Sequence, residues 1–171
     1  MKALKTELEN AIDNYIASYG QLVYTFCYRS LSDSQCAQDM TQEVLTRGWL
    51  GASAVAKTDE RLRLLALAYH CCLHVSQPER PATSNRCDAV DVQCLLSALP
   101  AEARCLFILQ ACCALTLEEI ATVTGLPVEQ IKAHLIRARR VLAAKLASTV
   151  YTDRSLFAQS ETFSENLYQH Q

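Results

Sequence analysis

Apolar residues recur three and four apart along most of the chain, the rhythm of helices that each bury one face. Residues 4–30 carry Leu8, Ile12, Tyr15, Ile16, Tyr19, Leu22, Val23, Phe26 and Cys27 at this spacing, which predicts one helix broken near Gly20 or two in succession. Ser32, Asp33 and Ser34 are cap candidates for the next helix, expected to begin near Gln35. That helix places Ala37, Met40, Val44, Leu45 and Trp49 on an apolar face and Asp39, Gln42, Glu43 and Arg47 on the other. Residues 61–75, RLRLLALAYHCCLHV, are apolar almost all round, which predicts a helix buried on most sides. Residues 76–88 concentrate Pro, Ser, Asn and charge, the composition of a linker between separately packed units. Residues 90–99 and 101–113 read as two more helices, with Pro100 suited to the start of the second.

The most informative stretch is residues 115–146. Thr116 and Glu119 have the spacing of a capping box, Gly125 ends the short helix it opens, and Pro127 suits the first turn of the next. On that second helix Val128, Ile131, Leu135, Ala138 and Leu142 form an apolar stripe. Gln130, Lys132, Ala133, His134, Arg137, Arg139 and Arg140 lie off it. A short helix, a Gly turn and a basic amphipathic helix read as a helix-turn-helix, whose second helix can enter a DNA major groove. An αα-hairpin with a solvated basic face has the same periodicity. Small Ala121 at the helix approach and the clustering of Arg137, Arg139 and Arg140, placed to meet phosphates, favour DNA.

Composition narrows the class. The chain has 171 residues, half of them apolar, with four glycines and four prolines. An all-α protein of two small helical domains joined by a short linker is expected: residues 1–75, a linker at 76–88, a helix-turn-helix domain at 89–147 and a tail at 148–171 to which no structure is assigned. The formal net charge of −2 argues against a protein that coats nucleic acid through bulk charge but leaves room for a local basic face. No apolar run reaches the ~18 residues of a membrane span, and MKALKTELEN lacks the apolar segment of a signal peptide. A cytoplasmic location without membrane insertion is expected.

The nine cysteines are odd in number and mostly sit in apolar helical runs, where a free thiol packs as a small hydrophobe. His70 and His74 lie four apart with Cys71 and Cys72 between them, and Cys112 and Cys113 follow later. Such spacing can bind a transition metal. Without a CxxC pair the simple packing reading stands, and neither metal nor cofactor is expected. No nucleophile, base and orienter can be assembled, and no glycine loop cradles a phosphate, so an enzyme is not expected.

Two separated motifs agree on a family. SDSQCAQDMTQEVLTRGW, with Asp39, Gln42, Glu43, Arg47 and Trp49, resembles the core-binding helix in the first conserved domain of bacterial sigma factors. Residues 115–146 resemble the promoter-reading helix-turn-helix of their second. Their order and the total length resemble the extracytoplasmic-function (ECF) group. The resemblance implies a subunit that binds RNA polymerase core, through the β′ clamp helices and the β flap, and directs promoter-specific initiation. Asp39, Gln42, Glu43 and Arg47 would dock on the clamp helices with Trp49 anchored in the core. Lys132, His134 and Arg137 would lie nearest base edges of the −35 element, with Arg139 and Arg140 on phosphates. An anti-sigma factor is the further partner implied.

The chain departs from that family where the −10 element is normally bound and melted. AYHCCLHVSQPER lacks the Arg-Asn pair and the basic residues, leaving Tyr69, His70, His74 and Arg80 for single-stranded DNA. Glu129, Ala133 and His134 also differ from the family's usual residues. Two alternatives follow: a degenerate sigma-like interaction protein that cannot open DNA, and a stand-alone helix-turn-helix repressor.

Overall fold

The computed structural model describes residues 2–51, 59–75 and 91–167, with side chains described between residues 5 and 148 of those ranges. Among the described residues the chain forms seven α-helices and no strand: α1 (Lys2–Leu31), α2 (Ser34–Gly51), α3 (Glu60–His74), α4 (Val92–Ser97), α5 (Ala101–Ala111), α6 (Leu117–Thr124) and α7 (Val128–Leu167). The expected linker at residues 76–88 lies outside them.

Helix α1 runs unbroken through Gly20, settling the alternative in favour of one helix. A glycine inside a helix costs about 0.5–1 kcal/mol, and the burial of Val23, Phe26 and Cys27 just beyond it offsets that. The chain turns at Ser32, which adopts positive φ, and the Asp33 carboxylate accepts the Cys36 amide at 2.8 Å to cap α2. Gly20 faces Leu45, and Tyr15 meets Trp49 edge-on at 5.3 Å, so α2 runs back antiparallel along α1. Helix α3, capped by Asp59, packs on both.

One ionic junction ties these three helices. The Glu60 carboxylate on α3 accepts from Tyr15 of α1 at 2.5 Å and from Arg63, which also donates to the Gly48 carbonyl of α2 at 2.5 Å. Gly48 is required here, because a Cβ would collide with Leu64 and the Tyr15 hydroxyl.

The second group follows its local signals closely. Asp91 caps α4, and α5 starts directly after Pro100. Thr116 and Glu119 form the full capping box of α6, and Gly125 ends it in the left-handed region at φ 74°. Pro127 opens α7 by accepting the Gln130 and Ile131 amides. Ile131, Leu135 and Ala138 of the expected stripe are buried, with Val128 and Leu142 half-buried at its ends.

Two features go beyond the expectation. The tail continues α7 to Leu167, and residues 128–167 contain neither Gly nor Pro, so nothing in the sequence stops the helix. The two helical groups, expected as two small domains joined by a linker, are also in contact. Helices α1 and α3 pack on α5, and α3 packs on α6, giving one continuous apolar core from Val23 to Ala138.

Candidate nucleic-acid interface and docking face

The exposed side of α7 carries most of the expected nucleic-acid residues. Gln130, Lys132, Ala133, Arg137, Arg139 and Arg140 are exposed, and His134 is half-buried. The charges are not all free. Lys132 Nζ pairs with Glu129 at 2.9 Å, a contact that holds its ammonium above the ordinary lysine value. Arg139 donates to Gln110 Oε1 at 2.9 Å, and His134 Nε2 lies 3.8 Å from the Glu102 carboxylate of α5. Arg137 and Arg140 complete the exposed basic surface.

Sequence reasoning missed Ile136. It is 51% exposed on the same helix, three residues after Ala133. Its position off the buried stripe was the signal. With Ala133 it gives the basic face an apolar centre, the kind of surface that can meet a thymine methyl group.

A second face lies on α2. Asp39, Gln42, Glu43, Thr46 and Arg47 line a shallow open depression. Glu43 and Arg47 form an i,i+4 ion pair at 2.5 Å, Asp39 accepts from Gln35 at 3.2 Å, and Arg47 reaches the Cys71 sulfur at 3.9 Å. Four of the five residues expected to dock therefore share one polar surface. Trp49 is apart from them, half-buried against Tyr15.

The segment expected to meet single-stranded DNA offers less than its sequence suggests. Tyr69 is 3% exposed, with burial pushing its phenol up to about 12, so its ring is not a free stacking platform. His70 and His74 are exposed, and Arg80 lies outside the described residues. Cys72 and Cys113 are buried, Cys71 is half-buried and Cys112 is exposed. Among the described residues no three His, Cys, Asp or Glu side chains converge as a metal would need. Desolvation raises the Cys105 and Cys113 thiols to about 11 and about 12, keeping them protonated and inert at neutral pH. No described helix is long and apolar enough to cross a membrane.

Comparison with known proteins agrees with this geometry. Residues 89–142 match the family "Sigma-70, region 4". Over most of the chain the fold is similar to the sigma factor RpoE, solved in complex with the anti-sigma factor NepR from Bartonella quintana. That match has a TM-score of 0.66 at 19% identity and covers 86% of this chain and 98% of that one. It is similar to CnrH, solved in complex with the cytosolic domain of CnrY, with a TM-score of 0.68 at 20% identity, covering 82% and 90%. A third similar structure is the complex of the anti-anti-sigma factor PhyR with NepR from Bartonella quintana, at TM-score 0.58 and 15% identity, covering 78% of this chain and 49% of that one. No curated protein sequence matches the chain.

Proposed function

We propose, from the match to sigma-70 region 4 at residues 89–142 and a fold shared with a sigma factor over 86% of the chain, that this protein is a sigma factor of the ECF type. It binds RNA polymerase core and directs initiation at a subset of promoters in the cytoplasm, with no catalysis of its own. The observation that carries this reading is the pairing of a region 4 helix-turn-helix with a separate polar docking face on α2.

In this reading Asp39, Gln42, Glu43 and Arg47 set the register on the β′ clamp helices. Trp49 acts indirectly, by fixing α2 against Tyr15. Arg137 and Lys132 reach base edges of the −35 element while Arg139 and Arg140 neutralise phosphates, since Arg or Lys to guanine is the commonest specific contact. An anti-sigma factor is the expected regulator, as RpoE is held by NepR. Reconstituted transcription with core polymerase tests the proposal. Promoter-dependent initiation is the expected result, and absence of both core binding and initiation refutes it.

The buried Tyr69 and the absence of Lys or Arg from the C-terminal half of α3 favour one second reading: a sigma-like protein that binds a partner without opening DNA. Permanganate footprinting of the polymerase complex separates the two. Reactive thymines in the −10 region reject the second reading.

A further inference from the structure

The cysteines are the chemistry of this chain that the proposed function leaves unused, and the fold sorts them. Among the described residues four are buried: Cys27 on α1, Cys72 on α3, Cys105 on α5 and Cys113 just after it. Cys105 has its own partner in the Ser30 hydroxyl, 3.6 Å away. Cys27 and Cys72 have each other. Their side chains are hydrogen-bonded across the packed faces of α1 and α3, although they lie far apart in sequence.

The pair is asymmetric. Cys72 donates and Cys27 accepts, which holds Cys27 below the ordinary thiol value against the opposing effect of burial and pushes Cys72 up. The Thr41 hydroxyl of α2 stands against the same Cys27 sulfur and otherwise donates to the Ala37 carbonyl at 2.6 Å, so it can turn toward a thiolate. Burial pushes Cys105 and Cys113 up. Of the four buried thiols, Cys27 alone is shifted toward the thiolate, the form that attacks an oxidant.

Access runs through the end of α3. Cys72 sits in its last turn and is 4% exposed, next to the half-buried Cys71. Helix ends open far more readily than helix interiors. An oxidant little larger than water needs no more than that opening.

We propose that Cys27 and Cys72 form a redox site, which a small peroxide converts to a disulfide that staples α1 to α3. The Cys27 thiolate attacks one peroxide oxygen and the O–O bond breaks, leaving a sulfenic acid on Cys27. The departing hydroxide takes the Cys72 proton and becomes water. The Cys72 sulfur then attacks the Cys27 sulfur, the S–O bond breaks, and the second hydroxide takes up the proton that Cys27 gave up on ionising. Two thiols have lost two electrons and two protons, and the peroxide has become two waters. The sulfurs move from hydrogen-bond contact to about 2.05 Å, a short step for helices already packed together. The loop so closed contains all of α2, so the bond constrains the unfolded chain of the whole three-helix unit that carries the polar face. A reducing dithiol reverses it.

Peptide mapping of the full chain tests this. Reduced protein is treated with hydrogen peroxide at low protein concentration and digested with trypsin without reduction. Cys27 is the one cysteine of the tryptic peptide 6–29, and Cys71 and Cys72 are those of the peptide 64–86. The expected product joins these two peptides, disappears with dithiothreitol, persists in Cys71→Ser and is absent from Cys72→Ser. The linked chain should melt at least about 5 °C above the reduced one. Peptide 6–29 left unlinked while the exposed Cys36 and Cys112 oxidise overturns the site, as does a link that is lost in Cys71→Ser. An unchanged Tm in the linked chain overturns the staple. The parent and Cys71→Ser decide the matter even if Cys72→Ser does not fold, and neither readout depends on the function proposed above.

Discussion

Replacing Glu60 by Gln tests the junction of α1, α2 and α3 that supports the polar face of α2. The carboxylate accepts Arg63 Nη2 at 2.5 Å, Arg63 Nε at 2.9 Å and the Tyr15 hydroxyl at 2.5 Å. The Arg63 and Glu60 side chains are only 18% and 23% exposed, so water replaces these bonds poorly. Hydrogen bonds to charged groups contribute about 1.5–3 kcal/mol net. Gln keeps the shape and one acceptor, and Arg63 keeps the Gly48 carbonyl, so the expected loss is about 2 kcal/mol. For a chain of this size that lowers Tm by about 4–8 °C.

The same junction fixes the sign of the pH dependence. Hydrogen bonding from Arg63 holds the Glu60 carboxyl below the usual range, outweighing the opposing effect of burial. A depressed folded-state value means the stabilisation is complete above the unfolded value of about 4.3 and is lost as pH falls through the folded one. Burial, with Glu60 adding to it, pushes the Tyr15 hydroxyl up, so it remains a donor throughout. Thermal melts of parent and Glu60→Gln at pH 7 and pH 3 should therefore differ widely at the first and converge at the second. A Tm gap under about 1 °C at pH 7, or an undiminished gap at pH 3, refutes the reasoning.

Other perturbations have defined outcomes. Arg137→Ala should weaken promoter binding by about 1–3 kcal/mol while leaving Tm unchanged, since the side chain is exposed; equal affinity in a gel-shift titration would return Arg137 to an ordinary solvated face. Glu129→Ala releases Lys132 from its ion pair and removes a carboxylate from the exposed face of α7, so DNA binding should tighten and depend more steeply on salt. A constant slope contradicts this. Gly48→Ala forces a methyl group against Leu64 and the Tyr15 hydroxyl and should cost about 1–3 kcal/mol in urea unfolding; an unshifted midpoint would show that the helices simply move apart.

What the sequence reveals follows from how local each signal is. The helix-turn-helix is legible because Thr116, Glu119, Gly125 and Pro127 each act within a turn of where they stand, and all four do what their chemistry predicts. The polar face of α2 is legible because Asp39, Gln42, Glu43 and Arg47 share one side. The seam between the units is not, because Gln93 and Arg104 bind backbone carbonyls, which leave no pattern in side-chain identity. A lone Arg in the apolar run AEARCLFILQ was its one trace. The helical tail was missed because a polar segment with no apolar stripe gives no period to read, although it contains no helix breaker. Tyr69 counted as a stacking ring because α3, apolar nearly all round, does not announce which sides are covered.

The closed packing and the unusual α3 are two sides of one constraint. A helix seated between α1, α2, α5 and α6 has little surface left for basic residues, and burying unpaired Lys or Arg there would cost several kcal/mol. His70 and His74, four apart on the exposed strip, are the ring-bearing polar groups α3 still presents to solvent. Opening the chain would add a fresh apolar face to that strip, at about 25 cal/mol for each Å² uncovered. Water alone cannot compensate for this, so the open form needs a protein surface against α3. The docking face on α2, whose Arg47 reaches Cys71 of α3, would bring a bound polymerase to the edge of that helix.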